Sequence, residues 1–153
     1  MNLGIRKMPE LFNKILLPVS GSEESMKAAD FAINLAKTHG SQIIALHVID
    51  TSVVRQLARH SGKSPGEIEV EMEENGWHYL YHVEEMAKDN KVKIVVLLDY
   101  GLPQEGILTK ERELGVDLII FGQSRGRGTR GRFIERSLHQ VLENSISPVL
   151  VIK

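Results

Sequence analysis

The chain has 153 residues, which is one domain's length and enough to bury about 70% of the unfolded surface. Hydrophobic residues make up 42% and charged residues 25%, as in ordinary soluble proteins, and the formal net charge of −1 provides no overall field to recruit nucleic acid. The chain has no cysteine, which excludes disulfides, cysteine-based metal sites and thiol catalysis.

The first residues carry little pattern, and we predict that 1–13 form an N-terminal arm ahead of a domain at 14–153. The arm lacks the apolar segment of a signal peptide, and no later run is long enough to cross a bilayer. We therefore expect a cytoplasmic protein that has no membrane partner.

The domain begins with a predicted strand, helix and strand. Residues 14–19 (KILLPV) and 42–48 (QIIALHV) are short apolar runs, which are typical of buried strands. Residues 23–39 carry alanine and isoleucine at helical spacing. Ser22 before this segment and Gly40 after it are residue types that cap helices, so we predict a helix between the two strands.

A long predicted helix dominates the middle of the chain. Residues 51–62 are ambiguous and compatible with a short helix, and a Ser-Pro-Gly sequence then breaks the pattern. We predict a helix over 67–90, although Gly76 inside it costs about 1 kcal/mol relative to alanine. Its acidic first half, 67–74, is interpreted as a solvated face rather than a metal or acid–base site. A third apolar strand follows at 93–98.

The last third of the chain contains two more helix–strand pairs. Pro103 suits the first position of a helix, which we predict to end at Gly115. A fourth strand is predicted at 116–121, a last helix at 133–144, and a fifth strand at 148–152.

Strands and helices alternate throughout, and nearly continuous apolar strands are typical of a parallel sheet covered on both faces. The predicted fold class is therefore α/β, a three-layer sandwich with a five-stranded parallel sheet. With the assumed strand order 3-2-1-4-5, the order reverses between the first and fourth strands, where such sheets bind ligands. The turn at 19–22 and the loop at 122–136 would then face each other across a crevice.

The loop at 122–136 is rich in glycine and arginine. Four glycines and five arginines accompany one glutamate, Glu135, so the formal charge of the loop is +4. Glycine lets main-chain N–H groups turn toward a ligand, and arginine matches phosphate oxygens in pairs. A glycine-rich turn between a strand and a helix is also where α/β proteins hold anions. The loop therefore predicts a phosphate-binding site.

Five segments of the chain carry a family resemblance: KILLPVSGSEES, LHVID, GLPQEGI, GVDLIIFGQSRG and SPVLVIK. Their order and spacing across 14–153 are similar to those of the universal stress protein family. The resemblance implies the strand order assumed above and a role in the stress response. It also implies a homodimer in which the last strands of two chains pair, since an apolar edge strand tends to be covered. The predicted dimer contacts are Val149, Leu150, Val151 and Ile152.

ATP-binding members of the family carry a signature of Gly, two residues, Gly, nine residues, then Gly and Ser or Thr. Counted back from the last strand without gaps, this sequence keeps the first glycine as Gly122. Arg125, Glu135 and Arg136 occupy the other three positions, and the family's aspartate near the ribose is Ser20. The predicted nucleotide contacts are Pro18, Val19, Ser20, Val48, Gly122, Arg125, Gly126, Arg127, Arg136 and Ser137.

These departures leave two hypotheses for the crevice. In the first, arginines replace the lost contacts, and the crevice binds ATP, ADP or another phosphate compound, with Mg²⁺ only as a companion of the nucleotide. The family's adenine contact, through the main chain of Val48, is unaffected by side-chain changes. In the second, Arg125, Glu135 and Arg136 close the pocket of a dimeric interaction module that binds no nucleotide. A slow ATPase ranks third, because no catalytic residue set can be assigned to the crevice.

Other motifs favour structural roles. The sequence at 126–131 matches GxGxxG, but the acidic residue of a dinucleotide site and the lysine of a P-loop are both missing. Stacking aromatics other than Phe133 are missing from the loop, which disfavours nucleic acid. His78 and His82 have no third metal ligand nearby, so we expect no metal site. His47 is interpreted as a buried histidine with satisfied hydrogen bonds.

Overall fold

A computed structural model of the chain describes residues 11–123 and 129–153, with the side chains of all of these except 129–135. The described elements, in chain order, are β1 (Lys14–Pro18), α1 (Glu23–His39), β2 (Gln42–Asp50), α2 (Thr51–Ser61), α3 (Pro65–Asp89), β3 (Lys93–Gly101), α4 (Pro103–Leu114), β4 (Leu118–Gly122), α5 (Thr129–Asn144) and β5 (Val149–Ile152). The strands pair in parallel in the order β3-β2-β1-β4-β5, which confirms the assumed order 3-2-1-4-5.

Alternate strand residues divide the core between the two faces of the sheet, because successive side chains of a strand point to opposite sides. Ile15 and Leu17 of β1 pack in the cluster that contains residues of α1 and α3. Leu16, between them, packs in the cluster that contains residues of α4 and α5. Helices therefore cover both faces, and the predicted three-layer α/β sandwich is confirmed.

The predicted caps define the ends of α1 and α4. The Ser22 side chain accepts a hydrogen bond from Ser25 N at 3.1 Å, which satisfies a free N–H group at the start of α1. Gly40 and Gly115 follow α1 and α4 in the left-handed conformation, where glycine is favoured because it has no Cβ. Pro103 is the first residue of α4, as predicted.

Two helices differ from their predicted bounds at the N-terminus. Helix α3 begins at Pro65 instead of 67, because Ser64 and Glu67 form a capping box at a sequence that predicts only a break. Helix α5 begins at Thr129 instead of 133, so part of the predicted loop is helical. The ambiguous segment after β2 is a helix, α2, with Asp50 as its N-cap.

Strand ends also shift from their predicted positions. Strands β2 and β3 run beyond 48 and 98, because their main chains pair as far as Asp50 and Gly101. Strand β4 begins at Leu118 rather than 116, because Val116 N donates to the carbonyl of Glu111 at 3.2 Å and closes the end of α4. Strand β1 ends at Pro18 rather than 19, and β5 begins at 149 rather than 148.

The first described residues contact the domain. Phe12 meets the ring of His39 edge-on, with ring centroids 6.1 Å apart, and Asn13 N donates to the Asp117 carboxylate at 2.9 Å. Residues 1–10 of the predicted arm lie outside the described residues. In the part of the chain that is described, none of the helices combines the length and apolar character that a bilayer crossing requires.

Candidate functional site

The strand order reverses between β1 and β4, so the candidate crevice lies at the carboxyl ends of these strands. Gly122 is the last residue of β4, and a Cβ built on it would lie 2.5 Å from the carbonyl oxygen of Glu24 and 2.9 Å from Ser25 N. The end of β4 therefore contacts the main chain of the first turn of α1, which only glycine permits. The structure thus brings the start of α1, which directly follows the turn after β1, next to the end of β4.

Three serine hydroxyls hold the turn between β1 and α1. Ser20 N donates to Ser25 Oγ at 2.8 Å, and the hydroxyls of Ser20 and Ser22 lie 3.0 Å apart. Ser22 N donates in turn to Ser20 Oγ at 3.3 Å. All these groups are neutral, and Ser20 stands at the position where the family resemblance implied a carboxylate.

The main chain of β2 borders the crevice beyond the end of β1. Val19 N donates to the carbonyl of Leu46 at 2.8 Å, so the polar main-chain groups of Leu46 face β1. Alternation along the strand directs the N–H and C=O groups of Val48 to the same side, past Pro18, where β1 ends. Gly106 of α4 packs closely on the Val48 side chain, since a Cβ there would lie 2.9 Å from Cγ2.

His47 is partly buried beside this edge, rather than buried as predicted, and its hydrogen bond is made as predicted. Its Nδ1 lies 2.7 Å from the carbonyl oxygen of Val19, which can only accept, so Nδ1 carries the proton. The ring of Tyr79 meets it edge-on, with centroids 5.7 Å apart. Burial lowers the pKa of His47 below its ordinary value of 6.5, and the bond to Val19 opposes that shift only in part. The ring is therefore neutral at physiological pH.

The predicted contacts from the fourth-strand loop are only partly described. Arg125, Gly126 and Arg127 lie outside the described residues. Arg136 is exposed on α5, whereas Ser137 beside it is buried and donates from its hydroxyl to Gln104 Oε1 at 3.2 Å. Ser137 therefore connects α5 to the start of α4, and no signal in the sequence identified Gln104 as its partner.

The described residues hold no cluster of three or more His, Asp or Glu side chains that could bind a metal ion. The predicted dimer strand β5 is an edge of the sheet, and all four of its residues are partly exposed. Leu142 and Ile146, in the segment that leads into β5, expose 47% and 73% of their surface. The chain therefore carries a partly exposed apolar surface at this edge.

The crevice, the sheet order and the segments that build them correspond to one family along nearly the entire chain. The profile of the Universal stress protein family matches residues 11–153. The chain belongs to the universal stress protein family. It is 32% identical to universal stress protein MJ0531 of Methanocaldococcus jannaschii, over 100% of this chain and 89% of that protein. It is 30% identical to universal stress protein YxiE of Bacillus subtilis, over 94% of this chain and 100% of that protein.

Solved structures of other universal stress proteins share the fold. The structure of protein MJ0577 superimposes with a TM-score of 0.78 at 24% identity, over 94% of this chain and 96% of that one. Two further neighbours were solved with nucleotides. One is a universal stress protein in complex with cAMP, with a TM-score of 0.66, 18% identity and coverage of 92% and 96%. The other is an Arabidopsis thaliana family member with AMP bound, with a TM-score of 0.62, 19% identity and coverage of 92% and 91%.

Proposed function

We propose that this universal stress protein binds an adenine nucleotide in the crevice between the turn after β1 and the end of β4. The observation that carries the proposal is the direction of the Val48 main chain, whose N–H and C=O groups point to the β1 side of β2 beyond the end of β1. The nucleotides found in two structural neighbours support it. The phosphates would extend toward Gly122 and the arginines of the following loop, where the sequence concentrates positive charge.

The exposed side chain of Arg136 favours this proposal, because an exposed guanidinium does not fill a closed pocket. The engaged hydroxyl of Ser137 favours the alternative, an interaction module without a nucleotide, because that hydroxyl already bonds within the fold. Glu135 also favours the alternative, since its carboxylate would repel phosphate unless an arginine neutralises it.

Calorimetric titration with AMP, ADP and Mg-ATP tests the proposal. We expect the wild type to bind, and Arg125→Ala to bind ADP and ATP about tenfold more weakly, because a charged hydrogen bond to phosphate is lost. Arg112→Ala is the matched control: it removes the same charge from α4, whose far end lies at the amino edge of the sheet, away from the crevice. Its affinity should equal that of the wild type.

The double variant Glu135→Gly/Arg136→Ser restores two positions of the family signature and separates the two hypotheses. If this variant binds nucleotide and the wild type does not, the alternative is established: an interaction module whose pocket is closed in the wild type. If neither protein binds any of the three nucleotides, adenine nucleotides are excluded as ligands. Amide chemical shifts supply a second measurement, because base binding to the main chain must move the Val48 signal.

A further inference from the structure

We propose that His47 is a positioning residue for the crevice: its ring occupies the carbonyl of Val19 and thereby leaves the Val48 N–H free for the edge of a base. The ligand in this proposal rests on the proposed function above. The structural half concerns only the hydrogen-bond partners of Val19 and Val48, so it can be tested on the protein without a ligand.

The regular pattern of a parallel sheet shows what His47 replaces. Across a parallel pair, one residue donates to the residue before its partner and accepts from the residue after it. Val19 makes the first of these bonds, since its N–H donates to the carbonyl of Leu46 at 2.8 Å. The second would join Val48 N to the carbonyl of Val19. No such bond occurs among the described residues.

The carbonyl of Val19 bonds instead to Nδ1 of His47, at 2.7 Å. The histidine ring thus replaces a main-chain donor at this carbonyl. Without any donor, the buried carbonyl would lower the stability of the fold. The Val48 N–H is thereby released. It stands beside the Val48 carbonyl on the same side of the strand, and this donor–acceptor pair complements the neighbouring amino group and ring nitrogen of adenine.

Helix α3 packs against the ring of His47 and holds it in place. A Cβ on Gly76 would lie 2.5 Å from His47 Cδ2 and 3.1 Å from Nε2, so the helix backbone presses on the ring. Tyr79, one turn further along α3, meets the ring edge-on and also contacts Gly21, where a Cβ would lie 2.6 Å from Tyr79 Cζ. With both sides occupied, the ring has one orientation, and Nδ1 faces Val19.

Amide hydrogen exchange by NMR, without ligand, tests the structural half. In the wild type we expect the Val48 amide to exchange much faster than that of Leu46, whose N–H faces β1 on the same side of the strand. His47→Leu removes the donor. The hydrogen bond from Val48 N to the carbonyl of Val19 should then form and slow exchange at Val48 by about tenfold or more. His47→Gln keeps an N–H donor and should leave Val48 exchanging as in the wild type.

Tyr79→Leu is the packing control, since it loosens the contact on the ring but leaves the His47 donor in place. If this variant slows exchange at Val48 as much as His47→Leu does, packing is the cause and the proposal is overturned. A Val48 amide that is as protected as Leu46 in the wild type also overturns it. Because that comparison needs no variant, it decides the matter even if His47→Leu does not fold.

AMP titration of the same proteins tests the functional half. We expect His47→Leu to bind AMP about tenfold more weakly than the wild type, and His47→Gln to bind within about threefold. Equal AMP affinity in His47→Leu and the wild type would overturn the role in binding. If the exchange pattern is as expected but none of the proteins binds AMP, the proposed function fails, while the role of His47 in releasing Val48 stands.

Discussion

The glycine in the middle of α3 leaves room for a histidine ring on the neighbouring strand. From sequence alone, Gly76 was a weakness in a predicted helix, because glycine destabilises helix interiors by about 1 kcal/mol. The structure explains why this position is glycine, since a Cβ on residue 76 would lie 2.5 Å from the ring of His47. The strand that contains His47 predicts a buried ring, whereas the ring is only partly buried, and its partner was not predictable, because only the pairing of β1 with β2 brings the Val19 carbonyl to it.

We predict that Gly76→Ala destabilises the protein by about 1–3 kcal/mol, because the added methyl group overlaps the ring of His47. Gly66→Ala in the same helix is the matched control. A Cβ there lies 4.0 Å from the nearest atom outside the local backbone, so alanine should stabilise the helix by up to about 1 kcal/mol. Urea unfolding measures both changes. A stabilising Gly76→Ala would show that the ring moves aside freely.

The lowered pKa of His47 predicts a pH dependence of stability. The unfolded state takes up the His47 proton near the ordinary pKa of 6.5, whereas the folded state takes it up only at lower pH. The stabilisation by the neutral ring is therefore complete above pH 6.5. It is lost progressively as the pH falls from 6.5 toward the lowered pKa of the folded state. Urea unfolding between about pH 8 and pH 5 measures it.

His47→Gln should remove this part of the pH dependence, because glutamine does not titrate. His82→Gln, at an exposed position of α3, is the control. In proteins that carry it, the change in pH dependence caused by His47→Gln should be the same as in proteins that do not. Identical pH profiles for wild type and His47→Gln would contradict the assignment.

At the scale of elements, local signals predicted the helix caps and apolar strands, since a Ser N-cap or a Gly C-cap acts through its immediate neighbours. The ends of β2 and β3 were predicted too short, because Asp99 and Tyr100 are polar although their main chains pair with β2. Helix α5 is held in the core by Leu138 and Val141, both inside the predicted range, and it begins at Thr129 although a glycine in its first turn has low helix propensity.

The connection from α5 to β5 depends on a buried carboxylate of α4. Glu111 is 1% exposed and accepts hydrogen bonds from Ile146 N at 3.2 Å and from Ser147 N at 3.0 Å. We predict that Glu111→Ala costs about 2–4 kcal/mol, because two main-chain N–H groups lose their buried acceptor. Glu111→Gln should cost less, since its amide oxygen can still accept.

Glu113→Ala, on the exposed side of the same helix, is the control for Glu111. Glu113 pairs with Lys110 at 3.2 Å with its side chain 56% exposed, and such surface pairs contribute little. Chemical denaturation should separate the two alanine variants by at least about 1.5 kcal/mol. Equal stability of the two would show that the buried carboxylate does not hold the connection.

At the scale of the whole molecule, the family membership accounts for the sheet order, which periodicity in the sequence alone does not determine. The exposed edge of β5 then raises the question of association. The carbonyls of Pro148 and Ile152 accept from Ile119 N and Gln123 N, so the polar main-chain groups of Val149 and Val151 face outward. We propose that these groups pair with the same strand of a second chain.

Val151→Pro tests the homodimer, because proline removes an outward N–H without removing a bond to β4. We predict that the dimer dissociation constant rises by about tenfold or more, as measured by sedimentation equilibrium. Val151→Thr, which keeps the N–H and the branched shape, should dimerise like the wild type. A wild type that stays monomeric at millimolar concentration would rule out the pairing.

Only main-chain atoms of α1 and the bare Cα of Gly122 set the distance between the end of β4 and the first turn of α1. Because this contact involves main-chain atoms, no change of rotamer can relieve it, and any larger residue at position 122 must displace α1. Substitutions meant to change what the neighbouring crevice binds are therefore best made at residues around it, with Gly122 left in place.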